Sequence, residues 1–345
     1  MRTHLAAVCL SLWSGVALAQ APAAPAVAVG ANVKHTAFRP GEQWHDTDGN
    51  LINAHGGGVL RVGKTYYWYG EKRAQQQEEG VTVYSSRDLY NWRYEGVALQ
   101  PSTQPGHDIE QGCLMERPKV LFNKKTGKYV MWFHLELKGK GYSAARAGVA
   151  VADKPTGPFR YVSSFRPNGH MSRDMSLYLD DDGRAYHIYS ARENYDLRIA
   201  RLSDDFLTAT KQDTLLFSNH REAPAVFKTG GKYYLITSGC TGWDPNQATL
   251  HVADTLFGPW QELGDPMRGP NAQKTFGGQS TYVLPAPGRP GSFIFLADRW
   301  NPKDLKDSRY LWLPVQFRQG QPTIEWLDRW NLDFFAQLGA KSAGQ

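Results

Sequence analysis

The sequence predicts an all-β fold, a five-bladed β-propeller with four antiparallel strands per blade, and three observations lead there. First, one pattern recurs five times: a polar opening residue, an apolar strand, a Gly- or Asp-rich turn, then an aromatic-rich strand. The copies are HGGGVLRVGKTYYWYGE from His55, ERPKVLFNKKTGKYVMWFHLE from Glu116, RDMSLYLDDDGRAYHIYSA containing Asp174, EAPAVFKTGGKYYLITSG from Glu222, and GQSTYVLPAPGRPGSFIFLADRW containing Gln279. Second, the apolar runs are short, aromatic and β-branched, and turns such as KTGK, DDDG, TGGK and PAPG punctuate them, which marks hairpins rather than helices. Third, a further pair of strand-like runs follows each opening hairpin. A β-helix would repeat over a shorter period, and a sandwich would not repeat its opening residue.

The elements follow in order along the chain. Arg2 and His4 precede an apolar run from Leu5 to Leu18, and Ala17-Leu18-Ala19 supplies a small-x-small cleavage pattern. Residues 1–19 therefore read as a secretion signal; the run is short of the roughly 20 residues a membrane anchor needs. Residues 20–31, rich in Ala and Pro, read as a leader, and residues 32–345 as a single propeller domain. The second strand pairs are GVTVYSS with WRYEGVAL, AGVAVAD with FRYVSSF, LRIARLS with a segment near LLFS, ATLHVAD with WQELG, and SRYLWLPVQF with PTIEWL. Residues 32–50 and the RWNLDFF tail lie outside the repeat and are left to close the ring.

Composition excludes several classes of function. The formal charge of +6 is spread along the chain without a basic run, which argues against a nucleic-acid protein. The ten histidines show no HxH or HExxH spacing and the cysteines no paired spacing, so no metal or cofactor is expected. Of three cysteines, Cys9 falls in the signal, and Cys113 and Cys240 sit in non-neighbouring repeats, where no bridge is expected unless a loop crosses the rim. The reading is an exported protein, periplasmic or extracellular, monomeric and without a membrane anchor.

Propeller geometry narrows the site. The first strand of each blade lines the axis, so the opening residues share one rim and Glu116, Asp174, Glu222 and Gln279 converge. The second strand returns to that rim with Glu71, His134, Arg192-Glu193-Asn194, Thr241-Gly242-Trp243 and Asp298-Arg299-Trp300. Asp180, Asp181 and Asp182 belong to a solvated turn at the opposite end. Tyr142, Trp243 and Trp300 are candidates for stacking on the apolar faces of sugar rings, whereas Trp68 and Trp132 lie mid-strand and belong to the core.

The repeat with RDMSLYLDDDG and REAPAVFKTGGKYYL resembles glycoside hydrolase family 43 over about residues 40–335, and the AHGGG, MERPKV and GGQST segments resemble its exo-β-1,3-galactanase branch. The resemblance implies inverting hydrolysis: an acid protonates the leaving oxygen while a base on the opposite face activates water, the carboxyls standing about 6.5–9.5 Å apart. It makes Glu222 the general acid and Asp174 the group that orients it and raises its pKa. The family's usual base, an Asp-Pro opening the first blade, is missing, and His55-Gly56 stands there instead. Three substitutes stay open: Gln279, which the branch resemblance suggests as a holder of water, Glu116, and His55. The same resemblance puts Glu116, Arg117, Glu71 and Asn194, with Glu193 beside them, on sugar hydroxyls. The substrate implied is a polysaccharide or oligosaccharide, foremost β-1,3-galactan. An arabinofuranosidase, xylosidase or galactofuranosidase on the same fold is the second reading, and a sugar-binding propeller that has lost catalysis the third.

Overall fold

The computed structural model describes residues 34–74 and 78–342. The signal and leader expected over residues 1–31 lie outside these. Five sheets succeed one another along the chain, each built from consecutive strands. The first comprises β1 (His55–Val62), β2 (Thr65–Arg73), β3 (Glu78–Ser86) and β4 (Arg93–Leu99). The second comprises β5 (Leu114–Asn123), β6 (Lys128–Glu136), β7 (Arg146–Ala152) and β8 (Arg160–Phe165). The third comprises β9 (Met175–Leu179), β10 (Ala185–Ala191), β11 (Asp196–Leu202) and β12 (Ala209–Phe217). The fourth comprises β13 (Arg221–Thr229), β14 (Lys232–Gly239), β15 (Thr249–Ala253) and β16 (Gln261–Gly264).

The fifth sheet extends the expected pattern. A two-residue strand, β17 (Met267–Arg268), pairs in parallel with the outermost strand of β18 (Gln279–Pro285), β19 (Phe293–Arg299), β20 (Arg309–Arg318) and β21 (Gln321–Glu325). The chain arriving from the fourth blade thus covers an edge that would otherwise expose unpaired backbone. Around the axis the innermost strands neighbour one another in the order β1, β5, β9, β13, β18 and back to β1. This is the five-bladed propeller.

Among the described residues no strand is exchanged to close the ring. Instead Phe38, ahead of the first blade, and Trp330, after the fifth, exchange backbone hydrogen bonds of 2.8 and 3.1 Å. Their rings stack into a seam with Trp68, Trp92 and Trp312, all buried. Aromatic side chains bring the largest buried area per residue, so one such cluster can hold two blades that share no hydrogen-bonded strand. A short helix, α1 (Phe334–Ser342), follows and adds Phe335 to the seam. Trp132 is buried between the second and third blades, as its mid-strand position predicts. No disulfide joins Cys113 to Cys240. Among the described residues no helix is long and apolar enough to cross a membrane.

Candidate active site

The opening residues reach the axis through a repeated irregularity. In the first, second and fourth blades the register slips just after His55, Glu116 and Glu222. The residue that follows each of them, Gly56, Arg117 or Ala223, has φ of 58°, 55° or 52°. A bulge of this kind bends the strand and re-aims the side chain beside it. At Gly56 the residue type is dictated, since a Cβ there would lie 2.2 Å from Glu71 Oε1. At Arg117 the left-handed backbone is held because its N–H donates to Glu71 Oε1 at 2.8 Å.

All five blades meet at a pocket of about 280 Å³ whose walls include Glu116, Asp174, Glu222 and Gln279. Glu71, Arg73, Arg117, His134, Asn194 and Cys240 complete the interior, and Tyr142 and Trp243 stand at its mouth, 44% and 40% exposed. A second cavity of about 320 Å³, at the ring seam beside Trp44 and Tyr90, gathers no converging carboxylates.

Two glutamates in this pocket have opposite electrostatic settings. Burial, then the charge of Asp174, pushes Glu222 up to about 8 despite the opposing charge of Arg117. Its Oε1 accepts from Gln279 Nε2 and its Oε2 from Asn194 Nδ2, each at 2.8 Å. Burial also raises Glu116, but the His134 hydrogen bond and the Arg73 charge outweigh it and hold this carboxylate well below its usual range. Glu116 Oε1 accepts from Arg73 at 3.0 Å and the Tyr142 hydroxyl at 2.9 Å, while Oε2 faces His134 Nδ1 at 3.0 Å. Burial alone would lower His134, yet hydrogen bonds to Glu116 and Glu136 lift it to about 9.

Arg117 ties the centre together: it pairs with Asp174 at 2.9 Å and donates to Gln279 Oε1. The Trp300 indole N–H donates to the same oxygen at 2.9 Å. Beneath them, Lys119 is buried and donates to the Gly56 carbonyl at 2.8 Å and the Arg117 carbonyl at 3.3 Å. Burial, then the Arg117 charge, lowers it to about 7.

Three expected site residues do not line the pocket. His55 is fully buried, stacked on Tyr310 at 5.0 Å with Nδ1 3.3 Å from Asp298. That aspartate also accepts the Gly56 N–H, so the bulge draws His55 into the blade interface rather than toward the axis. Glu193 points outward at 58% side-chain exposure and pairs with Arg173 on the rim. Trp300 offers no simple stacking face: it packs edge-on to Trp243 at 5.4 Å, with the Arg117 guanidinium 5.7 Å from its ring. Arg73 and Cys240 were not among the expected site residues, and His134, expected at the rim, had been given no role. The signal for Arg73 was its place two residues beyond Glu71 on the same face of β2, and for His134 its register opposite Glu116.

The trio Glu116, His134 and Asp174 has ligand atoms within 4.8 Å of one another, close enough to surround a cation. Its chemistry does not suit one. His134 is held as an imidazolium between two glutamates, and Asp174 is paired with Arg117.

Residues 55–298 match the family model described as glycosyl hydrolases family 43. A family 43 β-1,3-galactosidase solved with galactodeoxynojirimycin is 51% identical at a TM-score of 0.84, covering 85% of this chain and 100% of that one. An exo-β-1,3-galactanase from Phanerochaete chrysosporium solved with β-1,3-galactotriose is 39% identical at 0.80, covering 88% and 69%. Among curated proteins, a xylan 1,3-β-xylosidase from a Vibrio species is 26% identical over 225 residues, 59% of this chain and 39% of its own length. A xylosidase/arabinosidase from Humicola insolens is 24% identical over 223 residues, 59% of this chain and likewise 39% of its own length. The chain therefore spans about two fifths of the length of these two curated relatives.

Proposed function

This chain belongs to glycosyl hydrolase family 43, and we propose that it is an exported, exo-acting, inverting hydrolase that releases galactose from β-1,3-linked galactan such as an arabinogalactan backbone. The observation that carries the reading is Glu222, a buried carboxyl pushed up to about 8 beside Asp174. A group with that pKa keeps its proton near neutrality and gives it up when the leaving oxygen arrives, which is the task of a general acid. A propeller that only bound sugar would have no use for it.

Asp174 acts on the acid through its negative charge and is itself held by Arg117. Glu116 is unsuited to be the base: every oxygen already accepts from a donor, and a carboxylate so depressed has little proton affinity. It serves with Glu71 and Arg117 as an acceptor and donor set for sugar hydroxyls, under a mouth of Tyr142 and Trp243. Gln279 is the group left to hold water. Its Oε1 faces two donors, Arg117 and Trp300, so a tautomer with a proton on that oxygen is disfavoured and the amide positions water rather than deprotonating it. An oxocarbenium-like transition state asks little of its nucleophile. The reading requires the 2.8 Å contact between Gln279 and Glu222 to open as a sugar enters.

The choice of galactan rests on the solved neighbours at 39–51% identity, which carry galactosidase and galactanase names, against curated relatives at 24–26% that carry xylosidase names. The test is product analysis on β-1,3-galactan with the anomer followed by NMR at early times. Release of α-galactose supports the proposal; arabinose or xylose from other glycans instead would move the specificity, and binding without product would favour the lapsed enzyme. A mature N-terminus at Gln20 in the secreted protein checks export.

A further inference from the structure

Glu222 presents a contradiction on which the proposed function depends. As the acid it carries a proton that must be donated, yet both of its oxygens face N–H donors, Gln279 Nε2 and Asn194 Nδ2, each at 2.8 Å. A protonated carboxyl oxygen can still accept one N–H, but its own O–H also needs an acceptor, and of these two amides only one turned to present its oxygen supplies it. Gln279 is committed: turning it would aim an NH₂ at the Arg117 guanidinium and the Trp300 indole. Asn194 is not. Its Oδ1 is buried and makes no hydrogen bond, so turning the amide breaks nothing on that side.

The backbone of this residue points the same way. Asn194 ends a left-handed run in the β10–β11 hairpin, Arg192 at φ 45°, Glu193 at 54° and Asn194 at 64°. Only glycine adopts that conformation freely, and asparagine is among the side chains that tolerate it best. The run is clamped by Arg192, which donates to both oxygens of Asp196 at 2.9 and 2.7 Å, and by Ser218 on Asp196 at 2.6 Å. The hairpin thus holds a strained tip in place with its last side chain against Glu222.

We propose that Asn194 is the positioning residue of the acid: its Oδ1 accepts from the protonated Glu222 Oε2, and its amide turns over as the proton leaves, so that Nδ2 then donates to the carboxylate. The Oε2 proton passes to the glycosidic oxygen, the C1–O bond breaks with its electron pair going to that oxygen, and water supplies the new oxygen at C1. One proton from that water is released and Glu222 is reprotonated from solvent for the next turnover. Asn194 exchanges partners without itself gaining or losing a proton. This differs from a role as a contact to the sugar, which would hold substrate and transition state alike.

The experiment uses Asn194→Gly, which suits the left-handed backbone while deleting the amide, and two substrates that differ in their need for acid. On β-1,3-galactobiose, kcat should fall about 100-fold with KM little changed; on 2,4-dinitrophenyl β-galactoside, whose leaving group needs no proton, it should fall less than about threefold. Equal losses on both substrates, or a loss residing in KM, overturn the proposal. In Asn194→Asp the acceptor remains, the donor is lost and a negative charge is added, so the alkaline limb of kcat/KM should move up by about one pH unit; an unmoved limb overturns it. A readout independent of turnover separates this idea from the galactanase reading. The carboxylic C=O infrared band of Glu222, identified as the band missing in Glu222→Gln, should be present at pH 7 and shift in Asn194→Gly. An unmoved band sinks the role of Asn194 whatever the substrate; a shifted band without galactose release sinks only the substrate.

Discussion

Glu116 and Glu222 hold the same place in the repeat, open their blades before the same left-handed bulge, and face one pocket, yet they end in opposite protonation settings. Glu116 is wrapped by Arg73, the His134 imidazolium and the Tyr142 hydroxyl and stays ionised. Glu222 receives two amide donors and the weak Cys240 thiol, has Asp174 as a like-charged companion, and is pushed up to about 8. The repeat delivers a carboxyl to the axis; the partners supplied by the second strands decide what that carboxyl does. In blade two the end of the second strand carries the cation His134, and in blade four Ser238, with the thiol Cys240 just beyond the strand.

The sharpest way to break this comparison is to neutralise each glutamate in turn. Glu222→Gln should lower kcat on β-1,3-galactobiose by at least about 10³-fold and leave galactose affinity within a few-fold, because it removes a proton donor and little else. Glu116→Gln should act mainly through KM, raising it roughly 10–100-fold, since two cations lose a shared partner that also meets the sugar. Steady-state kinetics with calorimetric binding reads both. If the Glu116 variant lost kcat and the Glu222 variant lost binding, the two roles would be reversed.

A smaller change tests how Glu222 comes to be raised. It works protonated, so kcat/KM should fall as pH rises through about 8. Asp174 is the charge that opposes its ionisation, and removing that charge makes the carboxylate easier to form. Asp174→Asn should therefore move the alkaline limb to lower pH by about one unit. A limb that stays in place would assign the shift to burial alone.

These two residues also show what could be read from the chain beforehand. The five openings, the hairpin turns and the second strand pairs were legible because strand periodicity and turn chemistry are local, and the register is then forced by burying one face. The convergence of Glu116, Asp174, Glu222 and Gln279 followed from the repeat alone. The ring closure was not legible, because Phe38 and Trp330 find each other across almost the whole chain. Nor was the fate of His55: nothing local to HGGG announces that Asp298 will take the bulge N–H and Tyr310 the imidazole face. Nor was the setting of Trp300, whose indole N–H donates to an amide of its own blade. Position in a repeat is a local property, whereas partners are a property of the closed ring.

The same contrast recurs between two buried histidines, and it gives the smallest expected effect. His134 sits between Glu116 and Glu136 and is raised to about 9, so its contribution to stability is fully present below the unfolded value near 6.5 and is lost as pH rises through about 9. His187 has no hydrogen-bond partner on either nitrogen, stacks on Tyr189 at 4.6 Å, lies tilted against Trp132 at 4.9 Å, and is lowered by burial to about 3. Here the unfolded chain binds the proton first. Stability is complete above about 6.5 and drains as pH falls toward about 3, by roughly 2–3 kcal/mol between pH 7 and pH 4.5. His187→Phe keeps the aromatic stack and removes the titration, so thermal unfolding of this variant should lose several degrees less than the wild type on going from pH 7 to pH 4.5. Parallel losses in the two proteins would mean that His187 takes up its proton without unfolding, and that its place between blades two and three is less closed to water than its burial indicates.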